Sequence, residues 1–366
     1  MSDSCRTRSG WPVDCYNTIR PRMRFVSPLL KRAIYPALHR TGFLNGISLD
    51  AGYAVVNYHG VVPSDYSSVD KFLDGNLVSV EVFRKQLQFL KAHYSIIQPE
   101  DFLAWVAQGK TLPARAVLVT CDDGLLNTLT EMLPVLQQEG VPCLFFVTAA
   151  SCSDKPGMLW YEELYHLMRS KPLDALAEQL PADSKGEVQP PGNFQSEWWS
   201  MVKRASQLDA KARTDWMELV RAHSGAALPG CEERWRLLNS SELRKLSDAG
   251  MTIGAHTRTH PVLSLCREEE ARSEIQGSKQ EIEHALGRQL WAFAYPFGNP
   301  ATMGGREFSL TQEAGFSCAF LNVEYWATAH PRFAIARTHV TADMSLAEFS
   351  AHLSGLHCRL QRAVGS

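Results

Sequence analysis

The stretch Cys143-Leu144-Phe145-Phe146-Val147 is apolar throughout and constrains the fold more than any other part of this chain. A strand with one face in water alternates apolar and polar residues. An unbroken run suits a strand buried on both faces, as in a parallel sheet covered by helices. Ala116-Val117-Leu118-Val119-Thr120 reads the same way, and Ala54-Val55-Val56, Met251-Thr252-Ile253-Gly254, Ala292–Tyr295 and Cys318–Leu321 are further short strands. Helical patterns lie between them. Ser79 to His93 sets Val82, Phe83, Leu87 and Leu90 on one face, and Pro99 to Gln108 carries Phe102, Leu103, Trp105 and Val106. Leu125 to about Gln138 reads as a helix stopped by Gly140, and a charged helix runs from about Cys266 to Leu286 before Gly287. Ser241 is the expected N-cap of a helix ending at Gly250. Strands alternating with helices predict parallel βα units in an α/β fold.

Two strand ends carry chemistry. Thr120-Cys121-Asp122-Asp123-Gly124 closes one strand, and His256-Thr257-Arg258-Thr259-His260 follows another. Asp-Asp-Gly alone is ordinarily a turn, because Asp and Gly both favour turn geometry. A lone His-x-x-x-His is ordinarily a solvated or core pair. Adjacent carboxylates, however, suit one metal ligand beside one general base, and histidines at i and i+4 can converge on one divalent cation. In α/β folds, ligands gather at the carboxyl ends of the strands, where both motifs fall.

At these residues the chain resembles the NodB-homology polysaccharide deacetylases, carbohydrate esterase family four. The family's first motif is Thr-Phe-Asp-Asp-Gly, matched by Thr120–Gly124 except for Cys121. Its second, His-Ser/Thr-x-x-His, is matched by His256–His260. The third is commonly Arg-Pro-Pro-Tyr-Gly. Ala294-Tyr295-Pro296-Phe297-Gly298 stands there instead, similar to the Tyr-Pro-x-Gly form of the poly-N-acetylglucosamine deacetylase branch. Asn57-Tyr58-His59-Gly60-Val61 resembles a Tyr-His step that supplies a catalytic acid in that branch.

The resemblance implies an irregular (β/α)7 barrel. It also implies metal binding by Asp123, His256 and His260, with Asp122 as base, His59 as acid and the Phe297 N–H in an oxyanion hole. The implied cofactor is a divalent metal, with Zn²⁺ favoured and Co²⁺, Ni²⁺ or Mn²⁺ also compatible with two nitrogens and one oxygen. The implied substrate is an N-acetylated sugar or polysaccharide. Because Ala294 replaces the usual base-orienting Arg, Arg337 after a late strand is the candidate substitute. His339 is the rival acid. Tyr295, Pro296, Trp160 and Glu162 are candidate substrate contacts. Another amide hydrolase of the superfamily and an inactive carbohydrate-binding scaffold stay open as alternatives.

Domain organisation is expected as a leader and short helical segment at 1–50, a barrel at 51–356 interrupted by a helical insertion at 151–236, and a tail at 357–366. Trp198, Trp199 and Trp216 fall on helices of the insertion, and the polar stretch from Asp183 to Asn193 reads as a loop. Met1 to Pro21 lacks a secretory apolar core, and Met23 is an alternative start. Ser27-Pro28 resembles an N-cap followed by Pro at the first helical position. Residues 27–40 mix Leu29, Leu30, Ile34 and Leu38 with Lys31, Arg32, His39 and Arg40. That pattern suits either contact with a membrane surface or packing against the barrel.

The chain's 366 residues carry a net charge of −2, so no electrostatic case exists for nucleic acid. Nine cysteines without a paired framework lean toward a reducing compartment. No apolar run is long enough for a transmembrane helix. The expected location is therefore cytoplasmic or membrane-peripheral, with the oligomeric state left open.

Overall fold

The computed structural model describes residues 28–49, 51–68, 70–182, 194–225, 235–324 and 331–365. The expectations for Met1–Pro21, Met23, Ser27 and the 183–193 loop lie outside them. Packing divides the chain into two units, residues 50–344 and residues 1–49 with 345–366.

The larger unit is built on a parallel sheet. Its strands are β1 (Tyr53–Tyr58), β2 (Gly60–Val62), β3 (Leu77–Ser79), β4 (Ser95–Ile96), β5 (Ala116–Cys121), β6 (Leu144–Val147), β7 (Thr252–Ala255), β8 (Ala292–Ala294), β9 (Cys318–Phe320) and β10 (Thr338–His339). The main sheet runs β10-β1-β5-β6-β7-β8-β9, with β4 beside β5, while β2 and β3 pair separately. Ile335 bridges Phe320 in parallel, and β10 pairs with β1, so the sheet curls round into a barrel. Every residue of β5 and β6 is buried, which explains their lack of alternation. Gly254 is required by this packing: a Cβ there would lie 2.6 Å from the Phe146 ring.

Period two organises one face of the sheet. Val55, Ala116, Leu118, Leu144, Phe146, Ala292, Ala294, Cys318, Phe320 and Ile335 form one apolar cluster. Asn57, Thr120 and Arg337 lie two residues beyond Val55, Leu118 and Ile335, so they continue that face toward the strand ends. The barrel core thus becomes polar where the site begins.

Local details depart from the sequence reading. The segment after Gly124 does not turn directly into a helix. Leu125 bridges Leu237, Leu126 N–H donates to Arg236, and Leu238 N–H donates to Gly124. This tie to the returning end of the insertion delays the helix to a π-turn at Thr128–Met132 and an α-helix at Leu133–Glu139, with Gly140 as left-handed cap. The cap at 240 is Asn239, not Ser241. Its side chain accepts from Glu242 N–H while the Glu242 carboxylate accepts from Asn239 N–H.

The insertion folds as helices Trp160–Ser170, Phe194–Ala205 and Ala210–Ser224 around a core containing Trp160, Trp198 and Trp216. The smaller unit also differs from expectation. Helix Leu346–Leu353, inside the expected 51–356 barrel span, instead groups with the N-terminal segment. Tyr35, Leu44 and Ala351 share a core flanked by Leu30, Ile34, Leu38 and Leu360. Leu30, Ile34, Tyr35 and Leu38 of the amphipathic pattern therefore pack within this unit, while Leu29 is exposed. No helix among the described residues is long and apolar enough to cross a membrane.

Candidate metal centre

Asp122 and Asp123 leave the end of β5, and His256 leaves the end of β7, so the loops after the two strands that flank β6 bring the two motifs together. Among the described residues, five non-glycine residues have positive φ: Arg115, Asp123, Thr257, His260 and Phe297. All but Arg115 belong to the three motifs. Such backbone costs of order 1–3 kcal/mol per residue and persists only where its surroundings enforce it. Here Thr257 Oγ1 accepts the His260 N–H at 3.0 Å, and the Trp160 indole N–H donates to the His260 carbonyl at 3.2 Å.

Asp123 Oδ1 lies 3.4 Å from His256 Nε2 and 3.4 Å from His260 Nε2. His256 Nδ1 is 2.7 Å from the Ala294 carbonyl, which can only accept, so the ring donates there and leaves Nε2 bare. All three side chains are buried, and Asp123 Oδ1 has no hydrogen-bond partner. A buried carboxylate oxygen converging with two imidazole nitrogens fits a divalent cation. Burial works to raise the Asp123 carboxyl, but the two histidines outweigh it and hold it well below the usual range.

Arg337 is the largest outcome of the tertiary structure. Its guanidinium grips Asp122 with both ends, Nη1 to Oδ1 at 2.7 Å and Nη2 to Oδ2 at 2.6 Å. It is 1% exposed, lies over the Phe146 and Phe320 rings, and donates through Nε to the Leu321 carbonyl at 2.6 Å. Asn57 donates to Asp122 Oδ2 at 2.9 Å, and its own oxygen accepts from Arg337 and Thr120. Burial pushes the Asp122 carboxyl up, and Arg337, helped by His256, more than reverses this. Arg337 thus makes with Asp122 the pairing for which Ala294 has no side chain.

His59 follows β1, and its ring meets His339 edge-on at a centroid distance of 4.8 Å. Burial pulls His59 down against the opposing charges of Asp123 and Asp122, so both carboxylates bear on it. His339 is pushed down to about 3, chiefly by burial and then by His59, and its Nε2 meets Asn76 Oδ1 at 3.1 Å. The structure therefore brings both candidate acids to the site.

Phe297 has φ 61, and its N–H donates to no other described residue. Its ring packs against His260, Tyr161 and Trp199. Tyr161 also lies against His260, with ring centroids 4.9 Å apart. Tyr161 and Trp199 were not singled out from sequence for this place, since only the packing of the insertion brings them to the third motif.

The other expected substrate contacts fare differently. The Tyr295 ring is buried against Phe293 and Phe308, under helix Gly305–Glu313. Pro296 is buried in the turn closed by its carbonyl and Gly298 N–H. Trp160 is buried and committed to the His260 carbonyl. Glu162 is 9% exposed with Oε2 unpartnered, and burial, then Asp123 and Asp74, raise its carboxyl well above the usual range.

Fold and site together define a parallel α/β barrel with a three-ligand metal-site candidate at its strand ends. The polysaccharide deacetylase family model matches residues 219–316, which carry the second and third motifs. Among curated protein sequences none matches. Solved structures share the fold at low identity. The deacetylase PplD of Streptococcus pyogenes is 14% identical with a TM-score of 0.52, covering 82% of this chain and 97% of that one. IcaB of Ammonifex degensii is 19% identical with a TM-score of 0.51, covering 83% and 97%. A de-N-acetylase from Aggregatibacter actinomycetemcomitans is 15% identical with a TM-score of 0.53, covering 82% and 99%. The family match bears out the resemblance to polysaccharide deacetylases over residues 219–316, and the solved structures bear out the fold.

Proposed function

We propose that the chain is a metal-dependent N-deacetylase acting on acetamido groups of an N-acetylated sugar or polysaccharide. The carrying observation is the convergence of Asp123, His256 and His260 beside an Asp122 held ionised by Arg337. A divalent cation held by those three residues supplies Lewis acidity toward a carbonyl and acidifies water, with Zn²⁺ favoured and Co²⁺, Ni²⁺ or Mn²⁺ also accommodated. Asp122 accepts the proton of the attacking water, oriented by Arg337 and Asn57. The Phe297 N–H donates to the developing oxyanion. His59 carries the proton that the departing amine needs. Tyr161, Trp199 and Phe297 offer ring faces to a sugar, and Glu162 offers a buried carboxyl.

The test is acetate release from N-acetylglucosamine oligomers by metal-loaded protein, with chelator-treated protein as control. Release that stops on chelation and returns with Zn²⁺ supports the reading. A loaded protein inert toward oligomers of several lengths, yet active on simple amides, would replace it with a small-amide hydrolase.

Buried cysteines such as Cys121, Cys143 and Cys318 form no disulfide, which suits a reducing compartment. Leu29 is exposed near Arg32, which suits contact of residues 27–40 with an anionic membrane surface, and flotation with anionic vesicles tests this part.

A further inference from the structure

We infer that the helical insertion positions the metal ligand His260, through Arg213 and Trp160, and so is part of the metal site's framework. This rests on the metal-centre reading above. The second motif does not hold its shape by its own bonds alone. Glu274, fully buried on helix Glu268–Leu286, accepts the backbone N–H of Arg258 at 2.9 Å and of Thr259 at 2.8 Å through Oε2. Its Oε1 accepts from the Thr259 hydroxyl and from Arg213 Nη2, the latter at 3.3 Å. Arg213 Nη2 also donates to Thr259 Oγ1 at 2.5 Å.

Arg213 is 2% exposed and comes from insertion helix Ala210–Ser224. A buried carboxylate is tolerated only when paired, and Arg213 is the cation that pairs with Glu274. The guanidinium also lies over the Trp160 ring, 5.4 Å from its centroid. Trp160 in turn donates to the His260 carbonyl, while Thr257 Oγ1 accepts the His260 N–H. His260 has φ 59, so both of its peptide groups are pinned in a conformation it would not otherwise keep.

Further ties run the same way. Insertion residue Ser206 accepts Val262 N–H at 3.1 Å, and Glu270 accepts Ala210 N–H at 2.8 Å. The loop carrying His260 is therefore bonded to the insertion at several points, and Arg213 neutralises the group that shapes it.

Co²⁺ titration of metal-stripped protein, followed by visible absorption, tests this with the metal alone as probe. Arg213→Met should weaken Co²⁺ binding by about 10- to 100-fold and shift the absorption bands. Arg213→Lys should recover part of the affinity, and Trp160→Phe, which removes only the indole donor, should weaken binding in the same direction. Arg221→Met is the control. It breaks an insertion ion pair with Glu163 that does not touch the metal loop, so it should bind Co²⁺ like the wild type. If Arg213→Met fails to fold by circular dichroism, Arg213→Lys and Trp160→Phe carry the test. Wild-type affinity and spectrum in those variants overturn the inference while leaving the metal centre standing. Failure of the wild type to bind Co²⁺ overturns the metal-centre reading and this inference with it.

Discussion

Arg337 and Asp122 stand 215 residues apart in sequence and meet as a two-pronged ion pair at 2.7 and 2.6 Å, both side chains nearly inaccessible to solvent. The pair sits where the apolar barrel interior gives way to the site. Its geometry keeps the Asp122 carboxylate ionised and oriented beside Asp123, as the proposed general base requires.

Arg337→Met should abolish turnover and strip the buried Asp122 of its cation, at a cost of about 3–5 kcal/mol in stability. Arg337 holds the Asp122 carboxyl below the usual range of about 3.9. Its stabilising contribution is therefore present above the ordinary pKa and lost as pH falls through the lower folded value. Removing Arg337 takes away the chief group that opposes burial, so the acid limb of any residual rate profile should move to higher pH. An unmoved limb would separate Asp122 from the base role.

The two carboxylates should part company. Asp122→Asn should retain stoichiometric metal and lose activity, while Asp123→Asn, His256→Ala and His260→Ala should lose metal. Elemental analysis decides, and metal retained in Asp123→Asn but lost in Asp122→Asn would exchange their roles.

His59→Ala should cut the rate about 10²-fold or more with metal content unchanged, as for loss of a proton donor. The two rings touch, so His339→Ala should also alter the pH profile, because His59 loses a packed neighbour and with it part of the burial that pulls it down. Near-normal turnover in His59→Ala beside a dead His339→Ala would move the acid role to His339.

Gly298→Ala should destabilise by more than about 1 kcal/mol, because φ is +47° there and the new Cβ would fall 2.5 Å from Asn322 N. The neighbouring Phe297 N–H should be displaced with it, so kcat should fall more than KM rises. Thermal melts and steady-state kinetics on one preparation check both halves.

Glu162→Gln should flatten the pH dependence of stability. A carboxyl raised in the folded state makes the protein lose stability as pH climbs from the ordinary value of about 4.3 toward the folded one. The amide removes that loss, so the variant should gain on the wild type as pH rises from 5 to 8. Parallel melting curves across that range would rule out the buried acid at Glu162.

Much of this site was legible in the chain itself. Asp122, Asp123, His256 and His260 declared themselves by residue type, spacing and position after apolar strands, and the unbroken β5 and β6 runs announced a parallel sheet. Arg337 was legible only as the residue after a late strand, since nothing local told a buried guanidinium from a surface one. Tyr161 lay one residue from Trp160 and carried no separate signal. The Leu125 region misled because the helical pattern was real while its first turn was diverted by pairing with Arg236–Leu238. Helix Leu346–Leu353 misled because amphipathicity states that a face is buried but not against what.

The sequence by itself determined the parallel α/β class, the strand ends as the place of the candidate site and the donor types that meet there. Those follow from local period, turn chemistry and the donor atoms of single side chains. Only the tertiary structure decided which Arg pairs with Asp122, which aromatics face His260, that Trp160 bonds the His260 carbonyl where a cleft wall was expected, and that Arg213 and Glu274 meet at the loop carrying His260. Each of those is a contact between residues distant in sequence. No local pattern encodes such contacts, because they exist only once barrel closure and insertion packing have brought the partners into reach.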